Sequence, residues 1–417
     1  MGESFETKIS IIMPMYNASK NLRLCLDSVR DQSFRDYELI IVDDGSTDDS
    51  CEIVSSYMAN DSRISLYHQQ NQYAGVARNN GMTHAKGEYL IFWDSDDYFH
   101  VDALRLLYEK IKEDDAEICI CNAAHFLDDK KITAPGTSYL KREMLPDFSP
   151  FAAKDIPEYI LNFTSPVTWN KLFKKSYIDE IGARFEARRN VNDAYFVALA
   201  LCQASRITTV DRELIYYRKN QKGSLVSTLS MANLSPYEAW INIKNELLSK
   251  GIFPEKSFAN RALTIVVYHL HNTASYKAFC DSVNYLKREG LRELSLYVRD
   301  DYYDSEWRAD CLSHLINDSV EEFLAFFAYN TYVQLFTSDA KRFKIDKKYK
   351  KLDEKFTRYE EKSIKKIDDL NLKIEELSSK NESLKKKLSD VRNSKSYKIG
   401  RVITYIPRGL FGRKKGS

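Results

Sequence analysis

At 417 residues, with 43% apolar and 29% charged side chains, the chain is too long for one ordinary core and has a soluble, globular composition. Its net charge of +2 conceals an asymmetry: residues 340–417 hold 25 Lys and Arg against 11 Asp and Glu, a net of +14, which leaves −12 for the rest. The polar start MGESFETKIS does not read as a signal peptide, no apolar run approaches the ~18–20 residues of a membrane span, and seven scattered cysteines without a C-x-x-C pair fit buried reduced thiols better than a disulfide framework.

The first ~120 residues alternate strand and helix. KISIIMPM reads as a strand and ASKNLRLCLDSVRDQ as a helix carrying Leu22, Leu26 and Val29 on one face. YELIIVDD is a second strand, and STDDSCEIVSSYMA a helix capped by Ser46 or Thr47. RISLYHQ, EYLIFWD and AEICICNA are further strands, separated by helices at YAGVARNNGMTHA and VDALRLLYEKIKED. This alternation predicts an α/β fold, a mostly parallel sheet with helices on both faces. Such sheets bind ligands at the carboxyl ends of their strands. Three polar turns fall at that edge: 14–17, 43–46 and 94–97.

Pro135, Pro146, Pro150, Pro157 and Pro166 mark an irregular connection. After it, WNKLFKKSYIDEIG and NDAYFVALALCQ read as helices, and RITTV with ELIYYRK as a hairpin. Residues 231–345 read as a separate, aromatic-rich α-helical domain, which places the first domain at 1–230. Residues 346–393 carry a heptad seam through Ile367, Leu370, Ile374, Leu377, Asn381, Leu384, Leu388 and Val391. Asn381 at a core position favours a two-stranded parallel coiled coil, hence a homodimer; Leu352, Phe356 and Tyr359 extend the seam after a phase shift. A lone amphipathic helix packed on its own domain is the alternative. Residues 394–417 hold seven basic and no acidic residues interleaved with Tyr397, Ile399, Val402, Ile403, Ile406, Leu410 and Phe411. That basic amphipathic tail suits an anionic membrane surface; no nucleic-acid-binding fold accompanies it, so nucleic acid is not an expected partner.

In D-S-D-D, alternation puts Asp94 and Asp96 on one side. Two carboxylates where phosphates arrive suit a hard divalent cation, Mg²⁺ or Mn²⁺. Capping of the helix that follows, by Asp96 or Asp97, explains the same letters. V-D-D-G adds a carboxylate, Asp44, able to accept from a nucleobase N–H, and Tyr16 could stack on that base. Gly75, Ala77 and Gly81 permit close backbone approach, while Arg78 could pair with the aspartates or with a diphosphate.

P-M-Y-N, V-D-D-G-S-T-D, G-V-A-R-N-N-G and D-S-D-D, in this order, resemble family 2 nucleotide-diphospho-sugar glycosyltransferases, inverting bacterial enzymes with the GT-A fold. The resemblance covers residues 8–225. It implies that Pro14, Tyr16 and Asp44 line the nucleobase, usually uracil. It further implies that Asp94 and Ser95 lie toward the ribose, Asp96 with Asp94 holds the metal, and Arg78 supports them. Trp169, in W-N-K-L-F, matches a segment on the acceptor side. Where the family usually has Glu-Asp, this chain has Asn192-Asp193. Asp193 matches the catalytic base, with Asn192 a departure on the acceptor side. At a helix N-terminus Asp193 is expected to stay ionised; a plain helix-terminal role is the alternative. Tyr217, Arg218 and Ser224, in Y-Y-R-K-N-Q-K-G-S, are candidates for diphosphate contact, as are Arg188 and Arg189.

The expected function is a metal-dependent, inverting hexosyl- or N-acetylhexosaminyltransferase. It would move a sugar from a nucleotide-sugar donor, a UDP-sugar, to a hydroxyl of a growing lipid-linked glycan in cell-surface polysaccharide biosynthesis. The expected location is cytoplasmic, peripheral on the inner face of the membrane. A non-catalytic GT-A-like module that recruits partners through its helices is the alternative.

Overall fold

Both parities of each early strand are apolar, so a sheet made from them must be covered on both faces. The computed structural model describes residues 7–126, 132–135, 139–218, 234–273, 275–331, 370, 372–374 and 376–394. Strands β1 (Ile9–Met15), β2 (Tyr37–Asp43), β3 (Ile64–His68) and β4 (Tyr89–Phe92) run parallel in the spatial order β3-β2-β1-β4. The sheet continues through β8 (Lys171–Lys174), β6 (Ile118–Phe126), β9 (Ile207–Arg218) and β5 (Tyr98–Phe99), with β7 (Ile132–Pro135) beside β6. β8 is antiparallel to both neighbours, and β5 is antiparallel to β9.

Alternation sorts the strands between two cores. Ile9, Ile11, Met13, Leu39, Ile41, Ile91 and Trp93 meet α1 (Ser19–Arg30) and α4 (Ala103–Glu113). Ile12, Leu90 and Phe92 face the other way, toward α6 (Ala194–Gln203). Ile40 and Val42 pack on Ala77 of α3 (Tyr73–His84). α2 (Ser50–Met58) flanks β3, and α5 (Lys175–Ile181) follows β8.

Helix α6 is buried on nearly every side, because α7 (Ser235–Ser249) covers the flank away from the sheet. α7, α8 (Glu255–His271), α9 (Tyr276–Tyr285), α10 (Glu306–Asn317) and a helix at 320–331 share one apolar core with α6. Met1–Ala328 is accordingly one compact unit, and its core runs from the sheet into the helices. The expected boundary at 230 lies outside the described residues.

Two elements differ from the sequence expectation. W-N-K-L-F-K is not the start of a helix: Lys171–Lys174 is β8, inserted between β4 and β6, and only Lys175–Ile181 is helical. Leu172 and Phe173 face opposite cores, so tertiary pairing overrides local propensity. Nor do 207–218 form a hairpin. They are one strand, β9, parallel to β6, and its register jumps from Val210 opposite Cys121 to Glu213 opposite Asn122. The polar Asp211-Arg212 step is absorbed as a bulge instead of a turn.

Tyr329–Ser417 is the second unit. Its residues 376–393 are helical, with Leu377, Leu384, Leu388 and Val391 all more than half exposed. Ile367, the upstream seam and the basic segment from 395 onward lie outside the described residues. Among the described residues no helix is long and apolar enough to cross a membrane, and all seven cysteines are free thiols.

Candidate active site

Side chains tie together the chain's exits from β1 and β2. Asn17, left-handed at φ 47°, donates its N–H to Ser46 Oγ (3.0 Å) and accepts from the Thr47 N–H (2.7 Å). Asp48 accepts from the N–H groups of Ser19 and Ser50. Burial opposes its charge, yet the hydrogen bonds from Ser50 and Ser19 bring its carboxyl down to about 2. Pro14 is buried in β1. Its nitrogen faces the β4 side, where pairing has already ended with Phe92 opposite Ile12, so the missing N–H loses no ladder bond. Tyr16 stands just beyond, 52% exposed, its ring open for stacking.

Asp44 is buried and largely engaged. Its Oδ1 accepts from Gln69 Nε2 and the Gln72 N–H, and its Oδ2 from the Tyr73 N–H, each at 2.8 Å. It therefore fixes the 69–73 loop and keeps one Oδ2 lone pair for a further donor such as a nucleobase N–H. Asp43 lies behind it. One oxygen accepts from the Ser46 N–H, and the other lies 3.1 Å from His68 Nδ1, with Cys51 close by.

The D-S-D-D turn follows β4. Asp94 accepts from Arg78 Nη2 at 2.6 Å, and Ser95 is buried beside it. Burial, and then the charge of Asp94, push the Asp96 carboxyl up to about 6. Asp97 does not cap a helix. Its Oδ1 accepts from the Arg218 N–H, its Oδ2 is buried without a hydrogen-bond partner, and burial with Asp96 and Asp94 raises its pKa. The strand β5 separates this turn from α4, whose N-cap is Asp102. Arg218 Nε donates to the Asp96 carbonyl, and its guanidinium lies 4.3 Å from the Phe126 ring. Arg218 thus packs against the aspartates from below. Ser224 lies outside the described residues.

Arg78 is buried, and its fork links two parts of the site. Nη2 holds Asp94, while Nη1 donates to Asn192 Oδ1 at 2.9 Å. One of the two roles open in the sequence, contact with the aspartates, is seen in its bond to Asp94. Helix α3 can come this close because of its glycines: a Cβ on Gly75 would sit 2.3 Å from the Glu186 carbonyl oxygen, and one on Gly81 2.5 Å from Ile12 Cγ2. Asn79 completes the clamp, donating to the Phe185 carbonyl and accepting its N–H. Asn79 stands in the same G-V-A-R-N-N-G stretch, but no local pattern marks it for this role.

Asp193 occupies the N-cap position of α6 but makes no side-chain capping bond, so its carboxylate is not engaged by the helix. Burial raises its pKa, while the positive charges of Arg78 and Lys171 pull it back. It is therefore a stronger base than the helix terminus alone suggests. The preceding Val191 is left-handed at φ 60°, a conformation that a β-branched residue holds only under constraint, at about 1–3 kcal/mol. Trp169 is 4% exposed, stacked on Tyr217 at 5.6 Å and tilted against Tyr139 at 4.8 Å; it belongs to the wall of the site. Arg188 pairs with Glu186 and Glu238.

Asp94 and Asp96 are the carboxylates of this turn that could hold a divalent cation. Their charge is opposed from the protein side only in part, as the raised Asp96 carboxyl records, and Mg²⁺ is commonly held by one or two carboxylates plus substrate phosphates. Among the described residues, the cluster of three or more potential metal-ligand side chains is a different one, Asp43 with Cys51 and His68.

Residues 10–182 match the family described as glycosyl transferase family 2. Glycosyltransferase GlyG of Streptococcus pneumoniae is 31% identical over 229 residues, which are 53% of this chain and 73% of GlyG. The chain belongs to glycosyl transferase family 2. Glycosyltransferase GlyA of the same species is 30% identical over 295 residues, 66% of this family 2 chain but only 40% of GlyA. The fold agrees. The crystal structure of S. aureus TarS 1–349 in complex with UDP-GlcNAc aligns with a TM-score of 0.57 at 20% identity, over 76% of this chain and 89% of that one.

Proposed function

We propose that this chain is an inverting, metal-dependent glycosyltransferase that moves a sugar from a UDP-sugar to a hydroxyl of a growing glycan. One observation carries the reading: a single buried guanidinium, Arg78, bridges Asp94 of the D-S-D-D turn and Asn192 beside Asp193. Donor-side and acceptor-side carboxylates are thereby held in one frame. The UDP-GlcNAc bound to TarS supports a UDP-sugar donor.

The exposed ring of Tyr16 would stack on the nucleobase, and Asp44 would accept from its N–H. Asp94 and Asp96 would hold a Mg²⁺ or Mn²⁺ ion, which when bound neutralises charge on the departing diphosphate. Asp193 takes the proton of the acceptor hydroxyl as its oxygen bonds to the anomeric carbon. The bond from that carbon to the diphosphate oxygen breaks on the opposite face, and the nucleoside diphosphate leaves with the bonding pair. Attack opposite to departure inverts the configuration.

Two further elements belong to the proposal. The basic, apolar-interleaved composition of residues 394–417 favours docking on the anionic inner face of a membrane, where the acceptor would be lipid-linked. The exposed Leu377, Leu384, Leu388 and Val391, with Asn381 among them, favour a parallel two-stranded coiled coil with a second copy. Two catalytic units would then meet the membrane together.

The test is a panel of nucleotide sugars with the purified protein, with and without Mn²⁺ or Mg²⁺. Metal-dependent transfer or donor hydrolysis is expected. If no donor is bound or turned over, the chain is a non-catalytic module and the enzyme reading is wrong.

A further inference from the structure

Lys171 is fully buried, and a buried ammonium is unfavourable unless its hydrogens are satisfied. All three are engaged, but by neutral oxygens. Nζ donates to the Ser165 carbonyl (2.8 Å), the Val167 carbonyl (2.8 Å) and Asn170 Oδ1 (2.9 Å). These bonds close the 165–170 turn on itself. Asn170 then anchors the turn to β6 by donating from Nδ2 to the Cys121 carbonyl at 2.7 Å. The start of the segment is held by a second buried cation, Arg261 of α8, which donates to the carbonyls of Leu161 and Thr164. Between the two pins the turn presents Trp169 against Tyr217, next to Arg218 and the D-S-D-D turn.

No carboxylate takes part in these bonds, so the charge of Lys171 remains available. Strand and helix periodicity give its direction. Lys171 and Phe173 share one face of β8, and the Phe173 ring meets Phe196 of α6 at 5.3 Å. Phe196 and Asp193 are three apart, on one face at the start of α6. β8 runs antiparallel to β4 with Leu172 opposite Ile91, so Lys171 lies toward the carboxyl end of β4, the edge occupied by Asp94. Strand and helix therefore bring Lys171 and Asp193 to the same end of the sheet, on the face shared by β8 and α6.

We propose that Lys171 is a positioning residue for the transfer reaction, whose buried ammonium fixes the 165–170 turn and supplies positive charge beside the base Asp193. The inference rests on the glycosyltransfer reading above. Asp193 is faced by Arg78 from α3, Asp94 from the β4 turn and Lys171 from β8. Lys171 is faced by Cys121 from β6, Asp193 from α6 and Arg261 from α8. Burial raises the Asp193 carboxyl, and the cations beside it oppose that rise. Burial also lowers the Lys171 ammonium to about 7, with Cys121 and Asp193 holding it up.

The experiment compares full-length wild type, Lys171→Gln, Lys171→Met and Lys171→Arg in steady-state transfer from pH 5 to 9, with UDP affinity measured alongside. In both neutral variants turnover should fall about tenfold or more at pH 6, the acid limb should move up by about one pH unit, and the donor KM should stay within about twofold. Lys171→Arg should keep the wild-type acid limb. An unmoved limb in a neutral variant that binds UDP normally overturns the proposal. Loss of UDP binding in both neutral variants overturns it too, because Lys171 would then hold the fold and not the base. Absence of wild-type turnover on every donor would instead remove the glycosyltransfer reading, and this inference with it.

Discussion

Replacing Asp96 with Asn removes a half-buried negative charge while nearly preserving the shape of the turn. In the wild type, burial and Asp94 raise this carboxyl from 3.8 to about 6. Between about pH 4 and 6 the folded chain therefore keeps a proton that the unfolded chain has released. Stability is lost as pH rises across that window, and the penalty is complete above it. Two pH units correspond to about 3 kcal/mol; partial solvent access brings the figure nearer to about 2 kcal/mol. A compact unit of 328 residues has an unfolding entropy of ~0.7 kcal/mol/K. In EDTA at pH 7.5, Asp96→Asn should thus melt about 3 °C above wild type, and the two should converge near pH 4. Mn²⁺ with UDP should reverse the order, since only the wild type retains both carboxylates. Calorimetry at both pH values, with EDTA and with Mn²⁺ plus UDP, reads all four conditions. A variant that melts below wild type in EDTA at pH 7.5, or that keeps the Mn²⁺-dependent rise, would refute the reasoning.

Asp193→Asn should lower turnover by about two orders of magnitude or more while UDP affinity stays unchanged; normal transfer would show that the base lies elsewhere. Gly75→Ala would place a methyl against the Glu186 carbonyl and should destabilise the fold by about 1–3 kcal/mol in denaturant unfolding, with a null effect showing that α3 can shift freely. Asp48 is held at about 2 by Ser50 and Ser19, so its contribution is complete above about pH 4 and lost as pH falls toward 2. Asp48→Asn should flatten that part of the acid-unfolding curve, and an unchanged slope would contradict the assignment. Deleting residues 394–417 should move the protein from anionic vesicles to the supernatant in a sedimentation assay; continued binding would locate the membrane contact elsewhere.

Much of the site was legible in linear form. Strand-helix alternation put 14–17, 43–46 and 94–97 at one sheet edge, because a parallel sheet leaves every such turn on the same side. The proposed base, Asp193, was marked by resemblance, and the structure adds that its carboxylate is free of capping and set against two cations. What stayed hidden were contacts between residues far apart in the chain. Arg78 reaches 114 positions along the chain to Asn192, and Asp97 reaches 121 to the Arg218 N–H. No periodicity within either segment encodes such a pairing.

The sequence by itself determined the α/β order, the two-sided burial of β1, β2 and β4, and the chemistry gathered at their ends, since these follow from local apolar periodicity and turn residues. Tertiary structure decided that Lys171–Lys174 is a strand and not a helix, because the gap between β4 and β6 is closed by backbone hydrogen bonds that only a third strand can supply. It also decided which charges are isolated and which are answered. Asp44 is engaged by a loop, Asp97 by Arg218, and Lys171 by three neutral oxygens. Burial sets the electrostatic value of each group, and burial is a property of the packed whole.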